Sequence, residues 1–180
     1  MTQQRPPGPA RPGQRTAQAA ISALVCLGLG GCLGAMPVPL AGLNRQLEQA
    51  GSNRDPALAG RWLAVIHGGA GALTGGDGRE RVLLLDLERQ QPVPLPGLNR
   101  PDAQPLSVSL AANGERLALV RHLEGRTELV LYRRPVQSLQ PIPITPPGVP
   151  VRVQMRADGR ELAVQVSRNG LWQVDLIQLP

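Results

Sequence analysis

The sequence contains no lysine and no phenylalanine, and it has only one tyrosine, two tryptophans and two cysteines. The absence of lysine excludes a Walker-type phosphate loop, which needs a lysine after its last glycine. With so few aromatic side chains, any core must be built from leucine, valine, isoleucine and alanine. Nineteen prolines and 21 glycines disfavour long helices, because proline removes a backbone donor and interior glycine costs about 1 kcal/mol. Many short strands joined by turns are therefore predicted.

The basic charge is concentrated at the N-terminus. All 19 basic residues are arginine, and Arg5, Arg11 and Arg15 precede the first acidic residue, Glu48. The rest of the chain carries a mild excess of arginine, and aromatic partners for base stacking are nearly absent. Nucleic-acid binding is not expected, and the length of 180 residues indicates a single domain with appendages.

The first 31 residues have the layout of an export signal. Residues 1–15 are positive and proline-rich, residues 16–29 are apolar or small, and Gly30-Gly31 precede Cys32. The apolar run is shorter than the about 20 residues that a membrane-spanning helix needs, so a retained span is the weaker interpretation. We predict that residues 1–31 are a signal peptide that is removed from the mature chain.

Leu29-Gly30-Gly31-Cys32 resembles the signal of bacterial lipoproteins. The resemblance implies that Cys32 is the lipidation site, with cleavage before it and an acylated new amino terminus, and that Leu33 permits transfer to the outer membrane. The predicted location is therefore the periplasm, with a lipid anchor in the envelope. The alternative is an ordinary secretory signal cut after Ala35. Because Cys26 leaves with the signal, no disulfide or zinc site is expected in the mature chain.

Residues 32–57 are predicted to be a flexible tether with one helical candidate at 43–50, followed by a repeat domain at 58–180. Four elements recur in that domain. A hexapeptide recurs at 60–65, 114–119 and 159–164, and a second apolar strand follows it at 81–87, 128–134 and 171–177. A proline-containing edge strand is repeated at 91–95 and 140–144, and an alternating strand at 106–110 and 151–155.

The predicted fold class is all-β, with three four-stranded antiparallel blade-like repeats near 58–97, 105–146 and 149–180, forming a partial or open β-propeller. Asn113-Gly114 and Asp158-Gly159 are predicted to form type I′ turns between the first two strands of a unit. The first unit lacks a clear first strand and the third lacks its last, which leaves open edges. We expect either an open curved stack or a homodimer that completes a six-bladed ring.

The glycine-rich stretch HGGAGALTGGDG at 67–78 is predicted to be a lengthened hairpin between the second and third strands. It lacks the third glycine and the following helix of a dinucleotide fingerprint. It also has no Gly-x-Ser-x-Gly elbow to accompany an esterase-like oxyanion loop.

The candidate site residues each favour a structural role. His67 and His122 end equivalent strands but lack a third metal ligand, and Asp77 and Glu80 match no known calcium loop. A basic rim could be built from four arginines, although neighbouring strand residues point to opposite faces. These arginines are Arg121, Arg126, Arg133 and Arg134. Trp62 and Trp172 are expected in the core or between sheets. No catalytic, metal or cofactor site is predicted.

The hexapeptide copies resemble the repeat of the TolB-type propeller family, also called WD40-like or PD40 repeats. The family pattern is Ser-Pro-Asp-Gly-Lys, an apolar residue, alanine and phenylalanine. The matching stretches are residues 111–119 (AANGERLAL) and 156–164 (RADGRELAV), without the proline and the aromatic residue. The resemblance implies a periplasmic, non-catalytic protein that binds other envelope proteins through its propeller surface, although the chain has half of the family's usual six blades.

An extracytoplasmic hydrolase or a glycan-binding propeller protein is the alternative function. It would require carboxylates that converge at one end of the sheets. The candidates are Asp86, Asp102 and Asp175, of which Asp86 and Asp175 are expected at equivalent repeat positions.

Overall fold

The computed structural model describes residues 37–68 and 78–180, so the predicted signal peptide, Cys26, Cys32 and Asp77 lie outside the described residues. Leu40–Pro180 form one compact unit that contains all the elements below. Helix α1 spans Ala41–Ala50, and a short 3-10 helix spans Arg134–Val136. The strands are β1 Ser52–Ala59, β2 Trp62–Gly68, β3 Arg81–Asp86, β4 Gln91–Val93, β5 Ala103–Leu110, β6 Arg116–Leu123, β7 Arg126–Arg133, β8 Ser138–Ile142, β9 Val149–Met155, β10 Glu161–Arg168 and β11 Leu171–Gln178. Within these described ranges, no helix has the length and apolarity needed to cross a membrane.

The strands form three antiparallel sheets, each a meander in chain order. Sheet 1 is β1-β2-β3-β4, sheet 2 is β5-β6-β7-β8, and sheet 3 is β9-β10-β11. The predicted all-β repeat architecture is confirmed, and each hexapeptide copy leads into the second strand of its sheet. The first strands β1, β5 and β9 lie side by side, and the three sheets form an open partial propeller.

Sheet 1 begins earlier than the sequence pattern indicates. Residues 52–57, predicted as tether, belong to β1, which pairs with β2 from Ser52 opposite Gly68 to Ala59 opposite Trp62. The prediction that the first unit lacks its first strand is therefore wrong. Asp55-Pro56 breaks the apolar alternation because a β-bulge lies there, with φ of +51° at Asp55.

The turn positions were predicted correctly, but the turn type was not. In the Asn113-Gly114 turn only the glycine has positive φ, and the Asn113 side chain accepts a hydrogen bond from the Glu115 amide at 3.0 Å. The Asp158 side chain likewise accepts a hydrogen bond from the Arg160 amide. The two-residue loops with positive φ at both positions, as type I′ requires, are Glu124-Gly125 and Asn169-Gly170. They connect the second and third strands.

The core consists of two aliphatic layers between the sheets. The layer between sheets 1 and 2 includes the only tyrosine, Tyr132, whose buried hydroxyl donates to the Pro96 carbonyl at 2.8 Å. The layer between sheets 2 and 3 contains no aromatic residue among its buried members. Leucine, valine, isoleucine and alanine dominate both layers, as the composition predicted.

Helix α1 lies against the outer face of sheet 1. Leu43 of the helix is buried, and so are Val65 and Leu85, which point away from sheet 2. The Asn53 side chain in β1 donates to the Leu47 carbonyl at 2.8 Å and so ties the helix to the sheet. The helix therefore caps one end of the stack of sheets.

Candidate functional site

A groove of about 670 Å³ runs along the first strands of the three sheets. Residues of β1, β5 and β9 line it, and it continues onto the outer face of sheet 3 through Gln154, Gln165 and Val174. This central groove is a concave surface where the three sheets meet, so it is a natural place to look for a functional site.

Asp55 and Arg152 carry the charges of the central groove, and both act between sheets. The Val108 amide of β5 donates to Asp55 Oδ2 at 2.6 Å, and Arg152 Nη2 of β9 lies 3.4 Å from Asp55 Oδ1. One carboxylate of sheet 1 thus contacts the first strands of both other sheets. The sequence analysis missed this role, since it depends on a bulge that turns Asp55 towards the groove.

Two serines in β5 bind the neighbouring strand through their side chains. The amides of Val153 and Met155 donate to Ser107 Oγ at 3.3 Å and to Ser109 Oγ at 2.8 Å. Both serines are buried, so their hydroxyls satisfy backbone donors of β9. The alternation of serine with apolar residues was visible in the sequence, but its bonding partners were not.

Arg54, the neighbour of Asp55 in β1, binds Glu80 and also contacts sheet 2. Its Nε and Nη2 atoms each lie 2.7 Å from a different oxygen of Glu80, and it also donates to the carbonyls of Pro105 and Leu106. This hydrogen bonding raises the pKa of Arg54 and lowers the pKa of Glu80. Glu80, which matches no calcium loop in the sequence, is the partner of an arginine. Over residues 37–68 and 78–180, no group of three or more His, Cys, Asp or Glu residues could hold a metal ion.

His67 is fully buried near the end of β2. Its Nδ1 lies 2.9 Å from Asn53 Oδ1, while Nε2 has no hydrogen-bond partner among the described residues. Burial lowers the pKa of His67, so the ring is neutral at pH 7. His122 is exposed and is not its equivalent: counting from the hexapeptides, the position that matches His67 in sheet 2 is Arg121. The two histidines do end equivalent strands, as predicted, but they are offset by one residue, which on a strand reverses the face.

The three candidate carboxylates are separately engaged. Asp86 is buried and accepts from the amides of Glu88 and Arg89, so it closes the β3–β4 turn. Asp102 pairs with Arg100 on the surface, and Asp175 pairs with Arg168 through both of its oxygens. The pKa values of Asp102 and Asp175 are lowered by these arginine hydrogen bonds.

Asp86 and Asp175 do not occupy equivalent positions, contrary to the sequence analysis. Asp86 lies opposite Trp62 and Asp175 opposite Val164. When the hexapeptides of sheets 1 and 3 are aligned, Asp86 and Asp175 lie three residues apart along the third strand of the sheet. The three carboxylates lie in different parts of the unit and do not converge on the central groove.

The two tryptophans have opposite environments. Trp62 is buried between sheets 1 and 2, with the guanidinium groups of Arg61 and Arg134 each 4.8 Å from its ring centroid. This confirms the prediction of inter-sheet packing for Trp62. Trp172 is 63% exposed on sheet 3, and the same prediction is wrong there because no further described sheet covers that face.

Arg121 and Arg134, two of the arginines considered for a basic rim, have different environments. Arg121 is buried and its Nε donates to Glu128 at 2.7 Å, whereas Arg134 donates to the Gly114 carbonyl and contacts Trp62. Arg121 thus pairs within sheet 2, whereas Arg134 contacts a turn and a tryptophan of sheet 1.

Three blade-like sheets around a groove lined by their first strands define a partial β-propeller. Among solved structures, TolB from Acinetobacter baumannii is similar, with a TM-score of 0.51, 15% identity and coverage of 69% of this chain and 29% of that chain. The propeller domain of the trilobed protease from Pyrococcus furiosus gives a TM-score of 0.46 at 15% identity, with coverage of 63% and 33%. An acylaminoacyl peptidase gives 0.46 at 13% identity, with coverage of 71% and 19%.

The fold of this chain matches part of a β-propeller of the TolB kind. This chain spans less than a third of the TolB chain that it matches. No protein-family model matches the sequence, and neither does any curated protein.

Proposed function

We propose that this chain is a non-catalytic protein of the bacterial cell envelope that binds or scaffolds other envelope proteins through its propeller surface. The observation that carries the proposal is the bonding of Asp55 in the central groove. Its two carboxylate oxygens contact a β5 amide and Arg152 of β9. Both charged residues of the central groove therefore connect sheets.

The candidate carboxylates support the same conclusion. A hydrolase of this kind needs an acid and a base or nucleophile on opposite sides of one bond, within a few ångströms of the substrate. Asp86, Asp102 and Asp175 instead have their own backbone or arginine partners. A surface with satisfied polar groups suits binding better than proton transfer.

The envelope location rests on the lipoprotein-like signal before Cys32. The test compares the intact mass and membrane partition of the wild-type chain with those of Cys32→Ser, and Cys26→Ser is the matched control. We expect wild type and Cys26→Ser to begin at Cys32, to carry diacylglyceryl and acyl mass, and to sediment with membranes. Cys32→Ser should lose both properties. An unprocessed wild-type chain in the cytosol would contradict the proposed location.

The proposed lack of catalytic activity is tested in a separate experiment. The purified chain should show no turnover of generic ester, peptide and glycan substrates. A positive result counts as activity of this chain only if Asp86→Asn, Asp102→Asn or Asp175→Asn removes it. Such a loss would overturn the non-catalytic proposal and favour the hydrolase.

A further inference from the structure

Asn53 connects helix α1 to the buried ring of His67. Its side-chain nitrogen donates to the carbonyl of Leu47, in the last turn of α1, and to that of Gly51, just after the helix. Its side-chain oxygen lies 2.9 Å from His67 Nδ1. Because the nitrogen of this amide is used by two carbonyls, the oxygen accepts from Nδ1–H, and Nε2 carries a lone pair. One amide group therefore joins the helix to the histidine.

His67 lies on the face of sheet 1 that α1 covers. It shares this face with Val65, two residues earlier on β2, and with Asn53, its cross-strand neighbour in β1. His67 and Val65 are both buried, as is Leu43 of the helix. Nε2 has no hydrogen-bond partner among the described residues. While α1 stays in place, a proton on Nε2 would therefore be a buried charge without an acceptor.

The strands around His67 supply no negative charge on this face among the described residues. Arg81 of β3 lies opposite His67 and is itself positive. Glu80, next to it, lies on the other face of the sheet, where it pairs with Arg54 of β1. Asn99, which lines a cavity of about 240 Å³ together with His67, is neutral and binds the backbone of β3. Nothing described on the strands compensates an imidazolium ion.

Helix α1 offers no counter-charge either, and it is weakly held. Its two charged side chains, Arg45 and Glu48, are both exposed. A helix of ten residues is marginal by itself, and Leu43 is its one fully buried leucine. Segments with few buried apolar contacts open locally before the rest of a fold does. Departure of α1 is therefore the least costly way to bring the ring of His67 to water.

We propose that α1 is an acid-released cap: protonation of His67 Nε2 favours a state in which the helix has left sheet 1. In that open state the ring reaches water, and the apolar residues Val65 and Leu85 are uncovered. At neutral pH the ring is uncharged, and Asn53 holds the helix in place. The proposal concerns the folded unit and depends neither on the envelope location nor on the lack of catalytic activity.

The size of the effect follows from proton linkage. In the open state the pKa of His67 is near its ordinary value of 6.5, whereas burial lowers the pKa when α1 is in place. The open state therefore binds the proton more tightly, and its population rises as the pH falls below 6.5. Between pH 7.5 and 5.5, the equilibrium constant for opening rises by at most about tenfold.

The test is amide hydrogen exchange of the full chain in detergent at pH 7.5 and 5.5, with rates corrected for the intrinsic exchange rate at each pH. Amides of α1 report the cap, and those of β6, in the middle of sheet 2, report global unfolding. Amides of β11, at the edge of sheet 3, report openings that leave His67 buried. We expect α1 to open more readily than β6, and its opening constant to rise by about three- to tenfold at pH 5.5 while that of β11 stays constant.

Two variants test the role of the ring, and His122→Gln is the matched control because His122 is exposed. His67→Gln keeps a donor for Asn53 but takes up no proton, so the acid-induced rise in α1 should disappear. Asn53→Asp places a carboxylate beside Nδ1 and stabilises the imidazolium ion with the helix in place, so the rise should fall below about twofold. His122→Gln should behave as wild type does.

Each other outcome overturns the proposal. A rise below about threefold in wild-type α1, or an equal rise in β11, would show that His67 does not control the helix. Amides of α1 that are as protected as those of β6 would show that the helix leaves only on global unfolding. A full rise in His67→Gln or in Asn53→Asp would assign the effect to another group. If far-UV circular dichroism shows that His67→Gln is unfolded, wild type and Asn53→Asp decide.

Discussion

Gly114 shows how a single residue lets two sheets approach each other. It lies in the turn between β5 and β6 with φ of +68°, and the Trp62 ring of sheet 1 packs directly on it. A Cβ atom at this position would be 2.5 Å from the ring. Glycine is therefore needed twice, for the backbone conformation and for the close approach.

Gly114→Ala is predicted to lower the free energy of unfolding by about 2–4 kcal/mol, since backbone strain and overpacking add. Gly125→Ala is the matched control, because its φ is +78° but nothing lies within 4 Å of the added Cβ. The control should lose only about 1 kcal/mol from strain. Urea unfolding of both variants measures the difference; equal losses would show that the Trp62 contact is unimportant.

His67 predicts a pH dependence of stability. Burial lowers its pKa in the folded state, so the unfolded chain binds the proton more tightly. Stability is therefore full above the unfolded value of 6.5 and falls as the pH decreases below it, until the folded pKa is reached. At pH 5.5 the loss from this residue is at most about 1.4 kcal/mol.

The measurement is the free energy of urea unfolding at pH 7.5 and 5.5. His67→Gln should lose this step, whereas His122→Gln should keep it, because His122 is exposed. The carboxylates with lowered pKa values contribute their own dependence only at more acidic pH. A step that persists in His67→Gln would assign it to another group.

Among the elements, α1 has a larger role than a tether helix. A helix of ten residues is marginal in isolation, so its presence depends on contact with sheet 1. The contact covers apolar residues that would otherwise form a second open sheet face. The sequence predicted a helix at 43–50 but not the surface on which it packs. One apolar position in a short helix gives no information about its packing partner.

Leu43→Ala is predicted to reduce the free energy of unfolding by about 2 kcal/mol or more, as expected for truncation of a buried leucine. Leu40→Ala is the control, because Leu40 is exposed at the start of the same helix and makes no capping side-chain hydrogen bond. It should change stability by less than about 0.5 kcal/mol. Equal stability of the two variants in thermal unfolding would mean that α1 does not cap sheet 1.

At the scale of the whole molecule, the stack has one closed end and one open end. Repeat architectures need a polar or capped terminal surface to remain soluble, because each internal face is apolar. Here α1 closes the sheet 1 end, and the outer face of sheet 3 remains open, with Val174 and Leu176 exposed. Removal of the cap should therefore change how copies associate.

Deletion of residues 41–50 is predicted to expose the outer face of sheet 1 and to allow head-to-tail contacts with sheet 3. Light scattering should then detect assemblies whose mass grows with concentration. Adding Val174→Arg to the deletion should suppress this growth, because it blocks the other half of the contact. A deletion variant with the mass distribution of wild type would argue against a capping role.

The sequence by itself determined the strands, their order and the turn positions. These depend on local patterns: two-residue alternation of apolar side chains, glycine where φ is positive, and the repeated hexapeptide. It also predicted an aliphatic core, which follows from composition. The missed strand β1 is the exception, because Asp55-Pro56 interrupts the alternation and its bulge is stabilised only by partners in other sheets.

Only the tertiary structure decided which polar and aromatic residues are buried and what they bind. Trp62 and Trp172 both lie in apolar strands, yet one is packed between sheets and the other is exposed, because a neighbouring sheet covers one face and not the other. The sheet 2 partners of Arg54 and Asp55, Leu106 and Val108, lie 52 and 53 residues away in sequence. Contacts of that separation are set by how sheets pack, which no local pattern encodes.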